Sequence, residues 1–202
     1  KAAALGIAAA LAYPRTETDD REPAMLTAII DYESGNLHSA EKAFQRMARE
    51  TGAGEVVVTD KAEVVAGADR IGLPGDGALP ACAAALKGQS GIFDAMVEAV
   101  EVRGRPFMGI CVGMQLMASW GREYEDTEGL GWVPGEVVKI TPSDPHLKVP
   151  HMGWNDLVID APHPIFDGIA TGDHAYFVHS YHMQVAQADQ RLAHVDYGNV
   201  HN

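Results

Sequence analysis

Residues 106–115, Pro106-Phe107-Met108-Gly109-Ile110-Cys111-Val112-Gly113-Met114-Gln115, decide how the rest of the chain is read. The stretch opens on apolar, strand-like residues and passes through Gly-Ile-Cys-Val-Gly. It continues into Met114-Gln115-Leu116-Met117-Ala118, which reads as a helix. A nucleophile between two glycines at a strand-to-helix turn is an elbow: the sharp turn lifts the side chain off the sheet end, and the glycines let neighbouring backbone approach. The residue here is Cys, so the pattern predicts a thiolate nucleophile whose pKa a helix N-terminus lowers. The plainer alternative is a small buried Cys where a strand meets a helix.

Upstream of the elbow the chain alternates strand and helix. Leu26 to Asp31 reads as a buried strand, and Tyr32-Glu33-Ser34-Gly35-Asn36 is turn chemistry. Leu37 to Thr51 has helical spacing, with Leu37, Ala40, Phe44 and Met47 on one face. Glu55 to Thr59 is a second strand, Lys61 to Ala66 a short helix and Arg70 to Pro74 a third strand. The loop Gly75-Asp76-Gly77-Ala78-Leu79-Pro80 follows, then a helix over Ser90 to Val102 and a fourth strand over Pro106 to Ile110. This alternation predicts parallel βαβ units with both faces of the sheet covered. In such sheets the active crevice lies beyond the carboxyl ends of the strands. Cys111 and the Gly75–Gly77 loop both fall at that edge.

After Ser119 the pattern changes. Glu123 to Glu128 reads as an acidic, solvated face. Glu136 to Thr141, Asp156 to Ile159, Ala175 to Ser180 and Arg191 to Asp196 read as strands of an antiparallel or mixed half. No linker composition marks a second domain, so residues 25–202 are taken as one. Residues 1–24, alanine-rich and then polar with two prolines, are set apart as a non-native or disordered extension.

Bulk properties narrow the function. The formal net charge of −13 argues against nucleic acid or an anionic membrane as the main partner. Cys82 and Cys111 are the only cysteines, which gives neither a disulfide framework nor a zinc pattern and points to a reducing, cytoplasmic setting. Cys82 reads as a buried helix residue. No apolar run approaches the roughly 20 residues that cross a bilayer. Nothing in the sequence calls for a metal or an organic cofactor.

The pair of stretches Leu73-Pro74-Gly75-x-Gly77 and Gly109-Ile110-Cys111-Val112-Gly113-Met114-Gln115 resembles the class I (triad) glutamine amidotransferases. Three more stretches narrow the resemblance to the glutaminase subunits of imidazole glycerol phosphate synthases, from histidine biosynthesis. They are Asp31-Tyr32-x-Ser34-Gly35-Asn36-Leu37, Lys148-Val149-Pro150-His151-Met152-Gly153-Trp154-Asn155 and Tyr176-Phe177-Val178-His179-Ser180-Tyr181. The resemblance implies an α/β, flavodoxin-like sandwich with a central, mostly parallel sheet, helices on both faces and antiparallel C-terminal strands.

It also implies roles. Cys111 would attack glutamine and form a glutamyl thioester, with backbone N–H groups of Val112 and Gly77 as oxyanion donors. Gly75, Gln115, Ser180 and Tyr181 would bind glutamine. Asn36, Lys148, His151, Trp154 and Asn155 would face a (β/α)8-barrel cyclase that receives the ammonia and makes imidazole glycerol phosphate and AICAR. Asp76 departs from the hydrophobic residue expected in that loop, and a carboxylate beside a forming oxyanion is unfavourable. The family's triad His and Glu lie in a phrase like Phe-His-Pro-Glu, which the 202 residues do not contain. The expectation is therefore a domain incomplete at its C-terminus, with very low glutaminase activity as it stands. The competing readings are a catalytically silent binding module of the same architecture, another triad amidotransferase, or a Cys hydrolase.

Overall fold

The computed structural model describes residues 25–201, so the expectation about residues 1–24 lies outside the described residues. Chain contacts divide it into two units that meet in sequence between Met114 and Gln115. The sequence carries no linker signal there, because the division falls inside a short helix rather than in a loop.

The first unit is the parallel sheet. Its strands are β1 (Leu26–Ile30), β2 (Glu55–Thr59), β3 (Arg70–Gly75) and β4 (Phe107–Cys111), in spatial order β2-β1-β3-β4. All three pairings are parallel. Ala28, Ile29, Ile30, Ile71 and Leu73 are essentially inaccessible, as the near-continuous apolar strands required. The connecting helices are α1 (Leu37–Thr51), α2 (Ala62–Gly67), α3 (Leu79–Gly88) and α4 (Ile92–Val97), the last running into a π-helical turn over Glu98–Val102. α1 starts where the Asn36 side chain accepts the Ser39 N–H and stops at Gly52, whose φ of 67° is left-handed.

Two readings of the helices are corrected. Met47 is 53% exposed, and the inward face of α1 runs instead through Leu37, Ala40, Phe44 and Ala48, with the Phe44 ring against Gly72. α3 occupies part of what reads as loop. Pro80 sits in its first turn, where a missing N–H costs nothing, and Leu79, Cys82, Ala83 and Leu86 are buried beneath it.

The second unit is mostly antiparallel. After α5 (Val112–Gln115) come β5 (Ala118–Glu123), β6 (Glu125–Glu128), β7 (Val133–Lys139), β8 (His151–Asp156), β9 (Val158–Ile159), β10 (His174–His179) and β11 (Tyr181–Val185). The chain closes with β12 (Ala193–His194), β13 (Asp196–Tyr197) and β14 (Val200–His201). The larger sheet has the order β11-β7-β5-β6, with β5 and β7 parallel across a bulge and the other pairs antiparallel. The expected helix over 114–118 is thus cut to four residues, and Ala118 already belongs to a strand. The acidic segment after Glu123 is the exposed edge strand β6. Arg122 ties it to the sheet through Asp126 at 2.8 Å and Glu136 at 2.5 Å, and charged edges of this kind discourage pairing with other chains.

β8 and β10 form a separate antiparallel ribbon. Its pattern is inverted relative to a soluble strand pair. Met152, Trp154, Tyr176 and Val178 are 61%, 56%, 40% and 59% exposed, whereas His151 is 3% exposed. Trp154 lies opposite Tyr176 and Met152 opposite Val178, so the four make one outward apolar face. Among the described residues no helix is long and apolar enough to cross a membrane.

Candidate active site

The elbow is real, and its glycines are required by backbone packing. Cys111 ends β4 with φ of 56°, a left-handed conformation that costs a non-glycine residue about 1–2 kcal/mol. A Cβ on Gly109 would stand 2.5 Å from Met114 Cα and 2.6 Å from Gly113 O. A Cβ on Gly113 would overlap the carbonyl oxygen of Leu73 on the neighbouring strand. One on Gly75 would meet Gly113 N and Tyr32 Oη, each at 2.7 Å. Gly75 pairs in register with Cys111, so the sequence-predicted Gly-rich loop does begin beside the elbow.

Residue 111 is exposed, and the groups around its sulfur shift the thiol pKa upward. Burial of the sulfur pushes its pKa up first, and the Asp76 carboxylate pushes the same way, while the Val112 N–H pulls it down. This corrects the expectation of a depressed thiol pKa. A four-residue helix supplies little dipole, and burial with a nearby carboxylate outweighs it. Asp76, the residue that departs from the expected pattern, therefore acts on the thiol electrostatically.

The loop carrying Asp76 is tied back to the β1–α1 turn and to α3. Ser34 Oγ donates to the Asp76 carbonyl at 2.9 Å and accepts the Asp76 N–H at 3.3 Å. The Cys82 thiol lies 3.2 Å from Ser34 Oγ and donates to the same carbonyl at 3.4 Å. Cys82 thus has a role that its sequence context did not signal. Tyr32, wholly buried beside these groups, has a hydroxyl with no hydrogen-bond partner among the described residues, and burial raises its pKa. Gly77 adopts φ of 105° with open space where a side chain would be.

In the second unit, Gln115 is 7% exposed and its Nε2 donates to the Tyr181 carbonyl at 3.4 Å. The neighbouring Ser180 carbonyl accepts the Ile140 N–H at 2.9 Å. The three sequence-predicted glutamine-binding residues of this unit, Gln115, Ser180 and Tyr181, therefore gather at the start of β11. Of the residues assigned to a partner face, Asn36 is an exposed helix cap, Lys148 is exposed, and Trp154 projects from the ribbon. His151 does not project. Its ring stacks on Phe177 at 5.0 Å and on Tyr197 at 4.0 Å, and burial with the neighbouring His179 lowers its pKa to about 4. Asn155 also turns inward, with Nδ2 donating to the Asp196 carbonyl at 2.9 Å.

Among the described residues His194, Asp196 and His201 are grouped closely enough to suggest a metal. Hydrogen bonding accounts for their contacts: His194 Nδ1 lies 2.9 Å from Asp160 Oδ2 and His201 Nδ1 lies 2.9 Å from Asp196 Oδ1.

Comparison with known proteins fits this geometry. A family model described as glutamine amidotransferase class-I matches residues 29–200. The Ruegeria pomeroyi protein named imidazole glycerol phosphate synthase subunit HisH is 77% identical over 174 residues, covering 86% of this chain and 82% of its own. Proteins of the same name from Cereibacter sphaeroides and Rhizobium meliloti are 68% and 56% identical over the same shares. A crystal structure titled glutamine amidotransferase superposes with a TM-score of 0.59 at 17% identity, over 83% of this chain and 79% of that one. The crystal structure of a putative GMP synthase component from Thermoplasma acidophilum gives a TM-score of 0.55 at 18% identity, over 87% and 75%. With an elbow closed by backbone against β3 and a family match that spans both units, the chain belongs to the class-I glutamine amidotransferases.

Proposed function

We propose that this chain is the glutaminase subunit of an imidazole glycerol phosphate synthase, supplying ammonia to a cyclase subunit in histidine biosynthesis. The observation that carries the reading is Cys111, at a positive φ at the carboxyl end of β4 between glycines that let neighbouring backbone pack closely, in a chain 77% identical to a protein of that name. The Cys111 thiolate attacks the γ-carbonyl carbon of glutamine, forming the C–S bond. The tetrahedral oxyanion is held by the Val112 N–H and by a donor from the Gly75–Gly77 loop, and it collapses with cleavage of the C–N bond. The amide nitrogen takes up a proton and leaves as ammonia, and water cleaves the thioester to glutamate. Gln115, Ser180 and Tyr181 hold the amino-acid end of the substrate. The proton-transfer partner of Cys111 is not assigned to any of the nine histidines of this sequence.

The outward apolar face of the β8–β10 ribbon supports a protein partner. Tyr and Trp are common interface anchors, and Trp154 and Tyr176 make an edge contact at 5.6 Å on that face. The expected occupant is a (β/α)8-barrel cyclase. A second reading, a silent partner-binding module, is motivated by the lack of a Phe-His-Pro-Glu phrase in the 202 residues. Ammonia release from glutamine separates the two. The 202 residues alone are expected to turn over very slowly. A chain extended to include Phe-His-Pro-Glu should release ammonia in a manner stimulated by the cyclase and abolished by Cys111→Ala. Cyclase binding with no Cys111-dependent ammonia from the extended chain would establish the silent module instead.

A further inference from the structure

Buried His151 and half-buried His179 of the β8–β10 ribbon form one continuous hydrogen-bonded line. Asn155 Nδ2 lies 3.4 Å from His151 Nε2, His151 Nδ1 lies 3.1 Å from His179 Nε2, and His179 Nδ1 lies 2.9 Å from the Tyr181 carbonyl. Both ends fix the direction of this line. The Asn155 amide cannot turn over without loss, because its Oδ1 accepts the Asp156 N–H at 2.9 Å while its Nδ2 donates to the Asp196 carbonyl. It therefore presents a donor to His151, whose Nε2 must accept. At the other end a carbonyl can only accept, so His179 Nδ1 carries a proton and its Nε2 is left to accept from His151 Nδ1. The two demands agree, and both rings are neutral with the proton on Nδ1. Burial, which pushes both rings down in pKa, works in the same direction. A proton added to either ring would set a donor against a donor.

The line joins two functional surfaces. β8 alternates, so Met152 and Trp154 stand on the outward apolar face while His151 and Asn155 stand behind it on the same strand. Tyr181 opens β11 in the other sheet, and its carbonyl receives both His179 and Gln115. We propose that His151 and His179 are positioning residues: a directional relay through which a protein seated on the outward face of β8 sets the Tyr181 carbonyl and, with it, the Gln115 side chain. The inference rests on the glutaminase reading, because that reading makes Gln115 and Tyr181 substrate contacts. Pressure on Trp154 displaces β8 and hence the ring of His151, which is gripped between Phe177 and Tyr197 and moves with them. A shift of His151 Nδ1 is passed on by His179, because its carbonyl partner is only two residues away in sequence.

Imidazole nitrogen NMR on the 202-residue chain, alone and saturated with the cyclase subunit, tests the relay directly. The expected result is two neutral rings protonated only at Nδ1, both of whose nitrogen shifts change when the cyclase binds. Glutamine affinity is then titrated with and without the cyclase. In the wild type the cyclase should change it by at least about fivefold. His151→Phe keeps the stacking and removes both ring nitrogens, and should bring that factor close to one while cyclase binding is retained. His179→Asn keeps a donor for the Tyr181 carbonyl but breaks the link to His151; the ratio of its glutamine affinities with and without the cyclase should fall close to one. It also serves if His151→Phe fails to fold. An Nε2-protonated or charged ring, shifts unmoved by the cyclase, or an unchanged cyclase effect in a folded variant each overturns the relay. If the wild type binds no glutamine in either state the glutaminase reading fails instead, and the imidazole shifts still decide whether the relay exists and responds.

Discussion

Gly113→Ala isolates the packing that makes the elbow. The added methyl would overlap the Leu73 carbonyl oxygen and lie 2.8 Å from its carbon and 3.3 Å from the Pro74 carbonyl carbon. All three neighbours are backbone, so no side chain can rotate away. Either β3 or the start of α5 must shift by roughly an ångström, which loosens the register of Gly75 against Cys111. Overpacking typically costs 1–3 kcal/mol, and a clash between backbones belongs at the upper end, so about 3 kcal/mol is expected. For a chain of this length that corresponds to a loss of about 6–12 °C in melting temperature. Gly88→Ala is the control: it closes α3, meets nothing within 4 Å and should leave stability unchanged or slightly raised. Thermal melts of both variants, with alkylation of Cys111 followed in parallel, form the assay. A Gly113→Ala protein that melts within about 2 °C of the parent would mean that β3 and the elbow are not in backbone contact, and the reasoning would fail.

Three further outcomes are expected. Asp76→Val removes the carboxylate that raises the Cys111 pKa, so the pH profile of Cys111 alkylation should move to lower pH; an unmoved profile would detach Asp76 from the thiol. Burial and the neighbouring His179 hold His151 at about 4, against an unfolded value of about 6.5. Between those values the unfolded chain binds the extra proton, so stability rises with pH across the window and is lost as pH falls through it. The full displacement is worth about 3 kcal/mol and roughly half of that is expected after solvent screening, read as the difference between parent and His151→Phe in urea midpoints at several pH values. Parallel pH curves for the two proteins would rule the effect out. Trp154→Ala should weaken cyclase binding by at least about tenfold while leaving the melting temperature within a few degrees, measured by titration calorimetry.

The parallel sheet was legible because its strands are buried on both faces and read as apolar runs between turn signals. β2 and α1 begin and end where spacing, Gly52 and Gly54 place them. The second unit was harder. Leu116-Met117-Ala118 continues a helical pattern in sequence, yet the chain leaves α5 after four residues to start β5. β8 alternates polar and apolar residues as a strand does, but alternation does not say which face turns inward, and here the apolar residues face outward and His151 is buried. The elbow was readable from local sequence because its chemistry is local. The His151–His179 line was not: its members lie 28 residues apart and meet only through the register of β8 with β10. The direction of the Cys111 pKa shift was likewise hidden, since it depends on how far the sulfur is buried and on Asp76, 35 positions earlier in the sequence.

The central claim, that Cys111 is a nucleophile shaped for glutamine, is tested most directly by a glutamine analogue carrying a chloroketone in place of the γ-amide. Labelling is followed by intact mass and peptide mapping, beside iodoacetamide as an indifferent reagent. One adduct is expected, on Cys111 and not on Cys82, formed faster than with iodoacetamide and suppressed by free glutamine. Equal labelling of Cys111 by the two reagents, with no protection by glutamine, would contradict it.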